Sequence, residues 1–184
     1  CLHHLWFNDT HYKEKGSLIK WNPAVKKETD RTQLINAINN NIIDVIATDH
    51  APHTSDEKNN TYFNAPSGGP LVQHALLALL ELEKNKEIEL KQIVKKTSHD
   101  VADCFKIKNR GYLRSGYFAD LVLINKQKNL LVNKENILYK CGWSPFEGVK
   151  FSNSIDSTFV NGERVFHKGN LFEKQNGKRL TFNR

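Results

Sequence analysis

Residues 42–53 read IIDVIATDHAPH and combine an apolar run with a group of polar side chains. The run over residues 42–47 is interrupted only by Asp44, and its length and β-branched residues predict a parallel strand covered on both faces. Asp49 and two histidines follow the run, at the strand end where catalytic groups converge in a parallel barrel. An aspartate there can ligate a divalent metal and accept a proton from bound water. A capping or packing role is an equally open interpretation.

The flanking sequence predicts β/α units followed by a small β module. Helices are expected over about 30–39, 71–84, 90–96 and 99–105, with Thr29 or Asp30 and Ser98 as N-caps, and residues 1–7 are expected to form a strand end. Short strands are predicted at 121–124, 157–160 and 164–167, with Asn161-Gly162 as a hairpin turn. The polar segment 48–70 is long enough to predict a functional or disordered loop.

Composition excludes several classes of protein. The 184 residues are 39% hydrophobic and 26% charged, which is typical of a globular chain rather than a disordered or collagen-like one. No apolar run approaches the ~20 residues of a membrane span, and the net charge of +7 is scattered, so nucleic-acid binding is not predicted. Three distant cysteines indicate reduced thiols in a cytosolic protein. Because the chain begins with Cys1 and contains no Met, we expect it to be a piece of a longer protein.

Other polar residues have ordinary structural interpretations. His3 and His4 would diverge on a strand, so a satisfied structural histidine is favoured over a pair of metal ligands. His74 lies in an apolar helix and is expected to be a buried, hydrogen-bonded core residue. Asn22 precedes Pro23, as turn formers commonly do. The loop over residues 65–70 could be a plain rigid loop or could bind an anion through backbone N–H groups, and both remain open.

Several motifs occur in an order that resembles dihydroorotase, a binuclear zinc enzyme of the amidohydrolase superfamily. They are CLHHL at 1–5, KWNP at 20–23, DVIATDHAPHT at 44–54, APSG at 65–68 and GYLRSGYFADLVLI at 111–124. The resemblance implies an α/β fold, the C-terminal part of a distorted (β/α)8 TIM-like barrel plus part of a small β-sandwich domain. Residues 1–110 would supply the last barrel strands and helices, and residues 111–184 the C-terminal share of the sandwich.

The same resemblance implies a reaction and a set of residues for it. The family interconverts N-carbamoyl-L-aspartate and L-dihydroorotate in cytoplasmic pyrimidine biosynthesis, using a hydroxide held between two zinc ions. Asp49 would be a zinc ligand and the general acid/base. Asn22 and His53 would bind the small-molecule substrate, with His53 near its carboxylate, and Ser67 and Gly68 would offer backbone contacts. The resemblance also allows a homo-oligomer.

One departure from the family pattern is large. The family's His-x-His pair, its bridging carboxylate and two further histidine ligands would all precede residue 1. We therefore expect this chain alone to bind no catalytic zinc tightly and to have negligible activity. The alternatives are a sister cyclic amidohydrolase, such as a dihydropyrimidinase or allantoinase, or a non-catalytic dihydroorotase-like scaffold subunit for a partner such as aspartate transcarbamoylase.

Overall fold

Helices occupy the first part of the chain and strands the last. In the computed structural model, which describes residues 1–173 and 176–183, the helices are α1 (Leu2–Trp6), α2 (Tyr12–Lys15), α3 (Glu28–Asn39), α4 (Ser55–Lys58), α5 (Ala75–Lys84), α6 (Leu90–Val94) and α7 (Asp100–Cys104). The strands are β1 (Leu121–Asn125), β2 (Leu130–Leu131), β3 (Lys150–Phe151), β4 (Ser154–Val160), β5 (Glu163–His167) and β6 (Asn170–Leu171). Two 3₁₀ turns flank α2, at Asp9–His11 and Gly16–Ile19.

The two longest helices confirm the predicted apolar patterns, with shifted starts. The N-cap predicted at Thr29 or Asp30 was wrong, because helix α3 begins at Glu28 with Lys27 as its N-cap. Asp30 lies in the first turn and stabilises the helix start by accepting the Lys27 N–H at 3.1 Å. Helix α5 begins only at Ala75, because the four residues that follow Pro70 form a turn. Its leucine-rich face is buried, as its composition predicts.

The prediction for residues 1–7 was wrong, because this short apolar run forms helix α1 instead of a strand end. Residues 42–47 form no strand either. Their backbone bonds to helical segments: the Ala47 carbonyl accepts the Leu2 N–H at 2.9 Å, and the Ile46 N–H donates to Lys96 O at 3.0 Å. A strand requires a partner strand along its length, and the described part of the chain supplies none for this run.

The N-cap predicted at Ser98 was also wrong. Ser98 lies inside a π-helical turn, Lys95–His99, that joins α6 to α7 without a break. The flanking residues Val94 and His99 both have right-handed helical angles, so the backbone never leaves the helix to form a cap. The Thr97 hydroxyl donates to the Ile93 carbonyl at 2.7 Å within this turn.

The predicted strands are present and form an antiparallel sheet of order β1-β4-β5-β6, with β2 and β3 as a separate pair. Asn161-Gly162 forms the turn between β4 and β5, with φ of 52° and 88°. These left-handed angles are what a two-residue type I′ hairpin requires, so the prediction from Asn-Gly is confirmed. Strand β4 begins at Ser154, three residues before its predicted start, because Ser154 pairs with Asn125 of β1.

One hydrophobic core joins the helices to the segment between strands β1 and β4. Leu2 of α1 and Leu79 of α5 share this core with Val132, Phe146 and Phe151. Phe146 is completely buried, with ring centroids 5.5 Å from Trp6, 5.6 Å from Phe7 and 5.6 Å from Phe151. Residues on both sides of position 110 thus contribute to one core, and the division into 1–110 and 111–184 stays a prediction.

Among the described residues, no helix reaches the length and apolar character that crossing a bilayer requires.

Replacing Phe146 with Ala should lower the free energy of unfolding of the complete protein by about 3–5 kcal/mol, because a fully buried aromatic ring is lost from a packed cluster. Phe105→Ala is the matched control, since Phe105 is 60% exposed at the end of α7 and should cost less than about 0.5 kcal/mol. Urea unfolding measures both, and similar losses for the two variants would contradict the assigned core.

Candidate active site

Asp49 adopts a left-handed backbone conformation, with φ of 53°. Aspartate adopts this region more readily than most non-glycine residues, so the turn is tolerated at this position. In a regular strand, successive side chains would point to opposite faces. The left-handed turn at Asp49 interrupts this alternation. The carboxylate is exposed, and within the described chain it forms no hydrogen bond. Burial lowers the pKa of His4, and the nearby Asp49 carboxylate opposes that shift.

The segment after Asp49 is closed into a loop by a parallel bridge between His50 and Gly69. The Ala51 N–H donates to Gly69 O at 3.3 Å, and the Gly68 N–H donates to Lys20 O at 2.9 Å. These bonds hold the two ends of the loop together and attach them to the segment that contains Asn22. Four of the predicted site residues therefore lie on, or directly beside, one closed loop.

His53 and Ser67 are brought into contact across this loop. Nε2 of His53 lies 3.1 Å from Ser67 O, and since a carbonyl only accepts, Nε2 carries the proton. Nδ1 of His53 lies 3.8 Å from a Glu57 carboxylate oxygen. The His53 carbonyl accepts the Trp143 Nε1–H at 2.7 Å, which fixes the backbone at this position.

His50 has a structural role that the sequence did not predict. Its Nδ1 accepts the Leu71 N–H at 3.0 Å and lies 3.4 Å from Val72 N, so the ring holds the backbone leading to α5. An Nδ1 that accepts places the proton of the neutral ring on Nε2. The ring therefore connects the two ends of segment 50–71 a second time, beside the backbone bridge.

Asn22 is connected to the loop indirectly, through the backbone of Lys20. It is exposed and precedes Pro23 through a cis peptide bond. In residues 1–173 and 176–183, no hydrogen bond connects it to the other four predicted site residues. Its position follows from Lys20, two residues earlier, which accepts the Gly68 N–H.

His3 is buried, but it is not the satisfied structural histidine that the sequence predicts. Only 1% of its surface is exposed, and neither ring nitrogen has a hydrogen-bond partner in the described chain. The ring stacks on Trp21 with centroids 4.4 Å apart, and burial, followed by the neighbouring His4 and the N-terminal amine, lowers its pKa to about 3. The His3 and His4 rings lie 4.2 Å apart instead of diverging.

His74 confirms its predicted role. It is fully buried, with Nδ1 3.1 Å from the Ser144 hydroxyl, and burial lowers its pKa to about 4. The ring is therefore neutral at pH 7 and packs among the aromatic residues of the core.

A metal centre does not form from the described residues alone. No three His, Cys, Asp or Glu side chains among them come close enough to hold an ion. The exposed carboxylate of Asp49 can supply one ligand, but the two zinc ions implied by the resemblance require several more.

Two clefts lie near the loop. One of about 450 Å³ is lined by His50, Pro52, His53, Thr54, Glu57, Tyr139, Lys140 and Cys141. A larger one of about 620 Å³ lies between the start of α5 and the face of the antiparallel sheet, and its lining is mostly apolar. His53 lines the smaller cleft, whereas neither Asp49 nor Asn22 is among the residues that line either one.

Sequence reasoning missed Lys58, the last residue of α4. Its side chain is fully buried, and its ammonium donates to Pro66 O at 3.0 Å and to Gly68 O at 2.9 Å. A lysine in a polar loop sequence gives no signal of burial, since lysine is almost always exposed. Its position beneath residues 66–68 became apparent only from the structure.

Comparison with known proteins places the chain among amidohydrolases. The profile of the Amidohydrolase family matches residues 10–165. The dihydroorotase of Methanosphaera stadtmanae is 34% identical over 171 residues, covering 93% of this chain and 39% of that protein. The dihydroorotase of Pyrococcus abyssi is 32% identical over 179 residues, covering 97% and 42%. The chain thus spans about two fifths of the length of these curated relatives.

Solved structures show the same fold. The L-hydantoinase (dihydropyrimidinase) of Arthrobacter aurescens superposes with a TM-score of 0.89 at 24% identity, covering 97% of this chain and 41% of that one. The dihydropyrimidinase of Brevibacillus agri gives a TM-score of 0.83 at 23% identity, covering 93% and 39%. The predicted fold, the C-terminal part of a TIM-like barrel with part of a small β domain, is therefore confirmed.

Replacing Gly68 with Ala should destabilise the protein by roughly 3 kcal/mol or more, since a new Cβ would lie 2.5 Å from the Ala51 carbonyl oxygen at a φ of 124°. Gly116→Ala is the matched control, because its φ is 82° but its Cβ would meet open space, and about 1 kcal/mol is expected. Equal losses in urea unfolding would show that the loop does not pack closely against Ala51.

Proposed function

The chain belongs to the amidohydrolase family, and from this we propose that the complete protein opens and closes a cyclic amide, interconverting N-carbamoyl-L-aspartate and L-dihydroorotate. The observation that carries the proposal is the loop closed by the His50–Gly69 bridge, which begins directly after the exposed Asp49 and contains the His53–Ser67 pair. Dihydroorotase relatives at 32–34% identity support this substrate. Because the chain spans about two fifths of their length, the activity is proposed for the complete protein.

Asp49 is the proposed general acid/base. Its carboxylate is exposed and free of hydrogen bonds to the described residues, so it can accept a proton from the attacking water and deliver it to the leaving ring nitrogen. The left-handed backbone sets the direction in which the Asp49 side chain leaves the chain, directly before the closed loop.

The loop residues are the proposed substrate-binding groups. Ser67 and Gly68 lie on the same loop as His53, and Asn22 is attached to the loop through Lys20, which accepts the Gly68 N–H. Because the Nε2 proton of His53 is directed to Ser67 O and the unprotonated Nδ1 only accepts, His53 would bind the substrate carboxylate by exchanging its bond to Ser67 O for one to the carboxylate. A loop with these groups is suited to a small cyclic amide that carries a carboxylate.

We further propose that the complete protein uses zinc, with Asp49 as the ligand that this chain supplies, and that it acts in cytoplasmic pyrimidine biosynthesis. Zinc, when bound, would supply Lewis-acid polarisation of the amide carbonyl. Carboxylate and imidazole groups are ligands that zinc binds in proteins, which agrees with the proposal of zinc.

A sister activity on hydantoins or dihydropyrimidines is the second candidate. The likeness to hydantoinase structures favours it, but at 24% identity or less that likeness shows the fold alone. The parent rings of those substrates lack the carboxylate of L-dihydroorotate, so a loop that binds a carboxylate favours L-dihydroorotate. A non-catalytic scaffold would retain the fold without any turnover.

The complete protein, supplied with zinc, should hydrolyse L-dihydroorotate with a kcat/KM at least about 100-fold above that for hydantoin, dihydrouracil or allantoin, because only the first offers a carboxylate to the loop. Ultraviolet absorbance of the ring amide measures all four. Preference for a neutral ring would establish the sister activity, and absence of turnover for all would establish the scaffold.

Replacing Asp49 with Ala in the complete protein should reduce kcat by about 10³-fold or more, because a general acid/base is removed. Asp44→Ala is the control, since Asp44 is an exposed aspartate five residues earlier and should retain wild-type kcat. Wild-type kcat in Asp49→Ala would overturn the assignment of the site.

A further inference from the structure

Lys58 is a buried cation without a buried anion. Its side chain is 0% exposed, and its ammonium contacts the carbonyl oxygens of Pro66, Gly68 and, at 3.5 Å, Lys20. Within residues 1–173 and 176–183, no carboxylate lies within ion-pair distance of it. Burying a charge without a partner of opposite sign costs free energy, so the presence of a buried lysine at position 58 needs an explanation.

Lys96 shows what an ordinary buried lysine looks like in the same chain. It is 1% exposed, and its ammonium lies 2.8 Å from the Asp100 carboxylate and 2.6 Å from the Asn41 side-chain oxygen. That lysine has a neutralising partner, whereas Lys58 has carbonyl dipoles and the face of the Trp143 ring at 5.9 Å. Burial beside Lys20 lowers the pKa of Lys58 to about 8, which leaves it mostly protonated at pH 7.

The contacts of Lys58 also set the direction of the loop peptides. In a trans peptide the C=O and the following N–H point in opposite directions. Because Pro66 O points toward the ammonium, the Ser67 N–H on the same peptide points away from it. In the described chain this N–H donates no hydrogen bond, and Ser67 is exposed. The loop thus offers an unpaired donor on its outer side with a positive charge beneath it.

We propose that Lys58 is a positioning and specificity-determining residue, which orients the Ser67 N–H and makes the site selective for cyclic amides that bear a carboxylate. This inference rests on the proposed function and deepens it. The carboxylate of the substrate supplies the negative charge that the buried ammonium lacks. A neutral ring would leave the cation uncompensated, because charges interact strongly across a partly buried loop.

The test uses the complete protein and two competitive inhibitors of the same shape, orotate and its neutral amide, orotamide. Lys58→Met retains the length of the side chain and removes its charge. We expect it to raise the Ki of orotate and the KM of dihydroorotate about tenfold, while kcat and the Ki of orotamide change by less than about threefold. Lys96→Met is the matched control, which should lower stability but leave the preference for orotate unchanged.

Each outcome decides something different. Equal weakening of orotate and orotamide, or an unchanged KM, would overturn the role of Lys58. Failure of the unmodified protein to use dihydroorotate would instead overturn the proposed function. If Lys58→Met does not fold, Lys58→Arg provides the second variant: it keeps the charge and should keep the preference for orotate, and loss of that preference in a folded Lys58→Arg protein would contradict the proposal.

Discussion

The pairing of His50 and Ala51 with Gly69 is the interaction on which the arrangement of the site depends. It closes a loop of about 20 residues, and loop closure of that length costs entropy that the few backbone bonds must offset. The buried ammonium of Lys58 adds bonds from inside the same loop. The packed core anchors the loop at Trp143, whose indole N–H holds the His53 carbonyl. Opening this pairing would separate Asp49 from the residues proposed to bind substrate.

Much of the local structure could be predicted because its causes are local. The Asn161-Gly162 turn follows from the ease with which these two residues adopt positive φ, and helix α5 follows from a leucine-rich run. Asp49 could be identified as a candidate because it follows an apolar run at the start of a long polar loop. Its left-handed conformation had no signal in the sequence beyond the tolerance of aspartate for that region.

The features that the sequence did not predict depend on contacts between residues that are distant in sequence. A short apolar run such as residues 2–6 is compatible with helix or strand, and only its packing against α3 and α5 selects the helix. Residues 42–47 have strand-forming side chains, but their backbone bonds to α1 and to the π-helical turn. Burial of Lys58 depends on carbonyl groups eight and ten residues away, whose convergence no composition or periodicity reveals.

An experimental structure of the complete protein with L-dihydroorotate bound tests the central claim most directly. We predict the ring amide beside the Asp49 carboxylate and the substrate carboxylate within hydrogen-bond distance of the Ser67 N–H, above Lys58. Binding of the ligand in the larger apolar cleft beside α5, with Asp49 facing away from it, would contradict the account.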